Sequence, residues 1–195
     1  MLNIVVEGDV DVVVVRRLAT WTGFEIGDSY VMGGKGLLDK RIGAFNAAAR
    51  VAPWFALRDL DDDAECGAEL VSKLLPRRAR KFLLRVAVHE VEAWLLGDRR
   101  TIADALQVRV GLVPARPEDL ARPKQRLVQI ARSSRARAVR EDLVPAFNST
   151  ARVGPAYTAW VSDFMNRWSP QRARGSCPSL DGAIRALRGL RAALR

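Results

Sequence analysis

Leu2-Asn3-Ile4-Val5-Val6-Glu7-Gly8 is a short, mainly apolar run that ends on an acid and a glycine. It reads as a buried strand stopped by a glycine turn. The next segment, Asp9 to Trp21, carries two competing signals. Val12 to Val15 are β-branched and favour a strand. Asp9 or Asp11 can cap a helix, and Val10, Val13, Val14 and Leu18 fall at helical spacing, so a helix is expected. A second strand is expected over Phe24–Met32, then a Gly33-Gly34-Lys35-Gly36 loop and a helix over Leu37–Arg50. Trp54–Leu57 reads as a third strand running straight into Arg58-Asp59-Leu60-Asp61-Asp62-Asp63. A helix over Ala64–Leu75, stopped by Pro76, leads to a fourth strand over Phe82–Val88 and a helical pattern over Glu90–Leu96. Strand and helix alternating four times predict βαβ units: an α/β fold with a mainly parallel four-stranded sheet flanked by helices.

Beyond about residue 115 the strand signal fades. Pro114, Pro117 and Pro123 punctuate a connector, and helical stretches follow over Lys124–Ser133 and on toward Val144, over Ala156–Trp168 and over Leu180–Leu194. The expected organisation is an α/β core over residues 1–115 and a basic helical extension over residues 116–195. Tyr157, Trp160, Phe164 and Trp168 recur at helical spacing, the pattern of a buried helix face rather than a base-stacking platform.

The 195 residues suffice for a core without disulfides or structural metal. Cys66 and Cys177 stand alone, with no CxxC or Cys/His cluster that would make a zinc module. No apolar run approaches the ~18 residues of a membrane span, and strand-like sequence directly after Met1 leaves no room for a signal peptide. A cytoplasmic, membrane-free protein is expected. The formal net charge is +10, which favours a polyanionic partner. Its distribution is uneven: residues 1–63 carry 7 Lys/Arg against 10 Asp/Glu, the remainder 25 against 12. Residues 121–140 hold seven basic residues and no acid. Arg outnumbers Lys 27 to 5, as a GC-rich coding sequence would give, so part of the basicity reflects composition alone.

In an open parallel sheet, ligands bind beyond the carboxyl ends of the strands. Glu7 ends the first strand there, and Asp59 and Asp61 end the third. Strand residues two apart point to the same side, so Asp59 and Asp61 are expected to converge on one point; Asp11 lies about one helical turn after Glu7 if the helix starts promptly. Crowded carboxylates raise one another's pKa, and a divalent cation removes the conflict, with all-oxygen ligation suiting Mg²⁺ or Mn²⁺. Taken singly, Asp61-Asp62-Asp63 is also an ordinary solvated turn, with Asp63 capping the following helix. The Gly33–Gly36 loop does not meet GxxxxGK[ST]; it is either a plain turn or a loop whose amides or Lys35 touch a phosphate. His89 is the sole histidine, no HExxH is present because position 93 is Ala, and no serine lies in GxSxG.

Val5-Val6-Glu7-Gly8 with Asp11, followed by a strand ending Asp59-Leu60-Asp61, resembles the Toprim domain of topoisomerases, primases and OLD-type nucleases. Val88-His89-Glu90-Val91-Glu92-Ala93-Trp94-Leu95-Leu96, Arg122-Pro123-Lys124 and Ser176-Cys177-Pro178-Ser179-Leu180 resemble stand-alone Toprim-like proteins of a family of unknown function. The resemblance implies a Toprim/Rossmann-like core with Glu7 as metal ligand or general acid/base and Asp59 and Asp61 as metal ligands. It further implies Asp11 at a second ion, Glu90 and Glu92 as additional ligands, and Lys124 near the scissile phosphate. Topoisomerases need a tyrosine-bearing DNA-binding module, and Tyr30 and Tyr157 fall in a strand and a core-like helix. Primases of this type carry a zinc region that two distant cysteines cannot build.

A divalent-metal-dependent nuclease remains, with Arg122, Arg126, Arg132, Arg135 and Arg137 expected to contact phosphates. The rival reading is a non-catalytic nucleic-acid-binding or regulatory module acting with a partner ATPase, as relatives of this kind often sit beside one. A third reading is a phosphatase on a small substrate, which leaves the basic extension unexplained.

Overall fold

The structure is a computed structural model and describes residues 1–194. Strands and helices alternate as the sequence pattern predicts: β1 (Leu2–Val6), α1 (Asp9–Trp21), β2 (Ile26–Val31), α2 (Lys35–Ala48), β3 (Trp54–Asp59), α3 (Gly67–Leu74) and β4 (Phe82–Ala87). The chain continues through α4 (Glu92–Gly97), α5 (Arg99–Leu106), α6 (Pro123–Arg132), α7 (Arg137–Leu143), α8 (Tyr157–Phe164), α9 (Pro170–Ala173) and α10 (Pro178–Ala193). The four strands form one parallel sheet in the order β2-β1-β3-β4.

Backbone contacts gather the chain into two units, one of residues 1–88 with the segment from Ser179 onward, the other His89–Pro178. The compositional break near residue 115 therefore falls inside the second unit, and the last helix belongs to the α/β unit.

In the first unit the strand alternation sorts the core. Val5, Trp54, Ala56, Phe82 and Leu84 face Leu38 and Ile42 of α2, with Val71 and Leu74 of α3 packed against the same cluster. Right-handed crossovers put α1 on the opposite face, where Val14, Val15 and Leu18 are fully buried. In α10, Leu180, Ala183, Ile184, Leu187 and Leu190 form the buried stripe. A Cβ at Gly182 would come within 2.5 Å of the Arg85 guanidinium. Arg188 lies over the Trp21 ring at 4.9 Å and Arg191 over Phe24 at 5.9 Å, so basic residues of this helix serve internal contacts.

Two expected helices change shape for local reasons. α3 starts at Gly67 rather than Ala64, because Asp63 bonds to Arg58 and Lys35 instead of capping it. The helical run from Lys124 toward Val144 splits after Arg132. The buried Ser134 Oγ accepts the Ala136 N–H at 3.1 Å, a side-chain bond that competes with the helical ladder.

In the second unit, Trp94 and Trp168 are fully buried, and the Trp168 indole N–H donates to the Trp94 carbonyl at 3.1 Å. Tyr157 and Phe164 join this core as their spacing predicts. Trp160 is half-buried and stacks on Phe164 with centroids 5.4 Å apart. Among the described residues no helix is long and apolar enough to cross a membrane.

Candidate functional site

At the carboxyl end of the sheet, strand alternation decides which side chains meet. Val5 pairs in register with Ala56 on the α2 side, so the next residues on that side are Glu7 and Arg58. Arg58, not Asp59, is therefore the side chain beside Glu7, with Nη1 to Oε1 at 3.3 Å. Arg58 is 2% exposed. Its guanidinium donates to both carboxylate oxygens of Asp39 at 3.1 and 3.3 Å, to Asp63 and to the Asp59 carbonyl, and lies 3.9 Å from Asp61. Burial works against this charge; the hydrogen bonds to Asp39 and Asp63, with Glu7 nearby, more than restore it, and its pKa lies above the ordinary arginine value.

Glu7 is latched to the third strand through the backbone, its Oε1 accepting the Asp59 N–H at 2.8 Å. Burial lifts its pKa above the ordinary glutamate value, against the lowering from that hydrogen bond and from Arg58.

Lys35 reaches the same edge from the start of α2. Its Nζ bridges Asp61 at 3.0 Å and Asp63 at 2.8 Å. These bonds raise the Lys35 pKa, that to Asp63 contributing most, and the bonds from Lys35 and Arg58 lower the Asp63 pKa. The glycine loop before Lys35 is a turn. The Gly33 and Gly34 amides both donate to the Glu7 carbonyl at 2.9 and 3.0 Å, so those donors are already used. Gly34, at φ +130°, sits where L side chains are strained.

The carboxylates expected to converge are thereby redistributed. β3 ends at Asp59, and Asp61 has φ +48°, a left-handed turn, so the same-side rule for extended residues stops before it applies to Asp59 and Asp61. Alternation sends the Asp59 side chain to the face opposite Arg58. Asp11 is buried and accepts the Gly8 N–H at 2.8 Å, closing the first turn of α1. Among the described residues no three His, Cys, Asp or Glu side chains gather as a metal site.

Glu7, Asp39, Asp61 and Asp63 carry four formal negative charges against two from Arg58 and Lys35. The donors are all oxygen, as Mg²⁺ or Mn²⁺ requires. The ammonium of Lys35, 43% exposed, marks a place where Asp61 and Asp63 hold a cation. Arg58 and Asp39 completed the cluster without being singled out in the sequence. An arginine directly before the acidic strand end, after the apolar run Trp54–Leu57, was the available signal.

In the second unit Glu92 is fully buried and Lys124 is its counter-charge, with Nζ to Oε1 at 3.3 Å. The Tyr157 hydroxyl donates to the same oxygen at 3.1 Å, and Oε2 has no hydrogen-bond partner among the described residues. Burial raises the Glu92 pKa, with Lys124 opposing the shift. Glu90 accepts the Lys124 backbone N–H at 2.8 Å. These three expected site residues do come together. Arg122, Arg126 and Arg132 line one open cleft, while Arg135 lines a separate hollow with Gln107 and Asp104, and Arg137 pairs with Glu141 at 2.7 Å.

No protein-family model, no curated protein and no solved structure matches this chain. The fold is α/β with a parallel sheet ordered 2-1-3-4.

Proposed function

We propose that the chain is a divalent-metal-dependent nuclease of the Toprim type, hydrolysing phosphodiester bonds of DNA or RNA. The observation that carries this reading is the Glu7–Asp59 latch. The hydrogen bond from the Asp59 N–H ties a strand-end glutamate to the acidic turn that ends the neighbouring strand. This is the edge where open parallel sheets bind ligands.

Asp61 and Asp63, which already share the Lys35 ammonium, would hold Mg²⁺ or Mn²⁺, with Glu7 and Asp59 added by the Toprim resemblance; such an ion would supply an activated water and neutralise the phosphoryl group. Glu7, pushed up by burial, is suited to take a proton nearer neutrality than an ordinary carboxylate. Arg58 stays buried and fixes the positions of Glu7 and Asp39 without reaching substrate. Lys35 is exposed enough to exchange its carboxylate partners for a phosphate.

Cleavage of supercoiled plasmid, single-stranded DNA and total tRNA with Mg²⁺ or Mn²⁺ against EDTA tests the proposal. Wild type and Asp59→Ala are run side by side. Metal-dependent cleavage lost in the variant supports it; no cleavage of any substrate rejects it.

A second reading has its own support. Arg58 and Lys35 already engage the acidic oxygens, which suits a non-catalytic nucleic-acid-binding or regulatory module working with a partner ATPase. Salt-sensitive binding without cleavage, unchanged in Asp59→Ala, favours that module.

A further inference from the structure

The second unit carries an open cleft of about 760 Å³ between α6 and the segment that follows α7. Arg122, the N-cap of α6, and Gln125, Arg126 and Arg132 of the helix itself fall on one stripe, at i, i+3, i+4 and i+10, while Leu127, Ile130 and Ala131 are buried. At ~1.5 Å per residue the stripe runs about 15 Å along the helix. Arg152 faces it from the other wall, and no acidic residue lines the cleft. The Arg132 and Arg152 side chains are exposed and make no hydrogen bond or ion pair among the described residues. A second hollow shares Arg132, Pro145 and Ala146 with the first and adds Arg140 and the Arg137–Glu141 ion pair, so the acid-free stretch ends at Arg132.

Phe147 stands on the lip of this cleft, fully exposed. A basic track beside a bare aromatic ring is the combination that binds an unpaired strand: arginines follow the phosphates and the ring stacks on a base. A duplex keeps its bases stacked inside and offers the ring nothing comparable. We propose that this cleft binds single-stranded nucleic acid, with Arg122, Arg126, Arg132 and Arg152 on the backbone and Phe147 stacked on a base. The inference deepens the nuclease reading and rests on it for the fate of the bound strand.

Fluorescence anisotropy in EDTA, with labelled single-stranded DNA, single-stranded RNA and duplex DNA, tests binding with cleavage removed. Either single strand should bind more tightly than duplex, and the two single-strand arms identify the sugar preferred. Phe147→Ala and Phe147→Leu should each weaken single-strand binding about five- to a hundredfold, with Phe147→Trp retaining it. Arg132→Gln with Arg152→Gln should flatten the slope of log affinity against log salt by roughly 1.4. All four variants change exposed residues, and circular dichroism checks that the fold persists. Equal affinity for duplex, full affinity in Phe147→Leu, or no binding of any oligonucleotide overturns the proposal. Failure here leaves the metal-dependent cleavage result to be read on its own.

Discussion

The Asp59 backbone N–H donates to Glu7 Oε1 at 2.8 Å, so a side chain from the end of one strand holds the backbone of its neighbour. A glutamine can make the same bond without the charge. Because burial raises the Glu7 pKa, its ionised form costs stability at neutral pH. Between the unfolded value of 4.5 and the higher folded value, the folded state holds the extra proton. Wild-type stability contributed by Glu7 should thus rise as pH falls through that window. Glu7→Gln should unfold within about 1 kcal/mol of wild type at pH 7 and lack this rise, while losing metal-dependent cleavage. Thermal unfolding from pH 4.5 to 7.5 measures it; a loss of several kcal/mol at pH 7 would show that the charge itself supports the fold.

Arg58 presents the opposite balance, a buried cation among carboxylates that depend on it. Arg58→Met should cost about 3–5 kcal/mol, because Glu7, Asp39 and Asp63 are left facing one another without their counter-charge. Divalent cation should recover part of that loss if the edge accepts a metal. Urea unfolding with and without Mn²⁺ gives both numbers, and a variant as stable as wild type would mean that the guanidinium and the acids merely offset each other's desolvation.

Lys35 competes for the oxygens that a metal would use. It is well exposed and its pairs are worth at most about 1 kcal/mol of stability. Lys35→Ala should leave the fold intact and tighten Mn²⁺ binding, measured by titration calorimetry, because Asp61 and Asp63 lose an internal cation. The Asp63 pKa, held low mainly by Lys35, should move back toward 3.8. Unchanged or weaker Mn²⁺ binding would separate Lys35 from any metal at this edge.

Much of this architecture is legible in the sequence, and the places where it is not share a cause. The apolar runs at Leu2–Val6, Trp54–Leu57 and Phe82–Val88 each interrupt helical spacing, so their strands are readable from local pattern alone. Glu7 and the acidic run after Arg58 could be placed at strand ends for the same reason. Which of them meet depends on the residue where β3 stops extending. The register of Val5 with Ala56 makes Arg58 the neighbour of Glu7, and the left-handed conformation of Asp61 ends the alternation before it can bring Asp61 to the side of Asp59. Asp39 is invisible to spacing arguments because 19 residues separate it from Arg58. The boundary near Val88 is equally hidden. Composition changes near residue 115, whereas α10 returns to the first unit through a stripe that resembles any other amphipathic helix.

Lys124 and Glu92 give the sharpest use of pH. Glu92 is fully buried, its pKa is raised by burial, and Lys124 is the cation opposing that rise. Lys124→Met leaves the carboxylate without counter-charge and should cost about 3–5 kcal/mol at pH 7. Removing Lys124 lifts the folded pKa of Glu92 further, so the penalty falls on the ionised form alone. As pH drops through that folded pKa toward the unfolded value of 4.5, Glu92 takes up a proton and the penalty should fade. Glu92→Gln in the same background should abolish the pH dependence, because an amide has no charge to relieve and still accepts the Tyr157 hydroxyl. Chemical unfolding of the three proteins from pH 5 to 8 decides it. A destabilisation that stays constant with pH would mean that Lys124 supports the fold through its packed stem, leaving its ammonium available for the phosphate chemistry that the resemblance assigns to it.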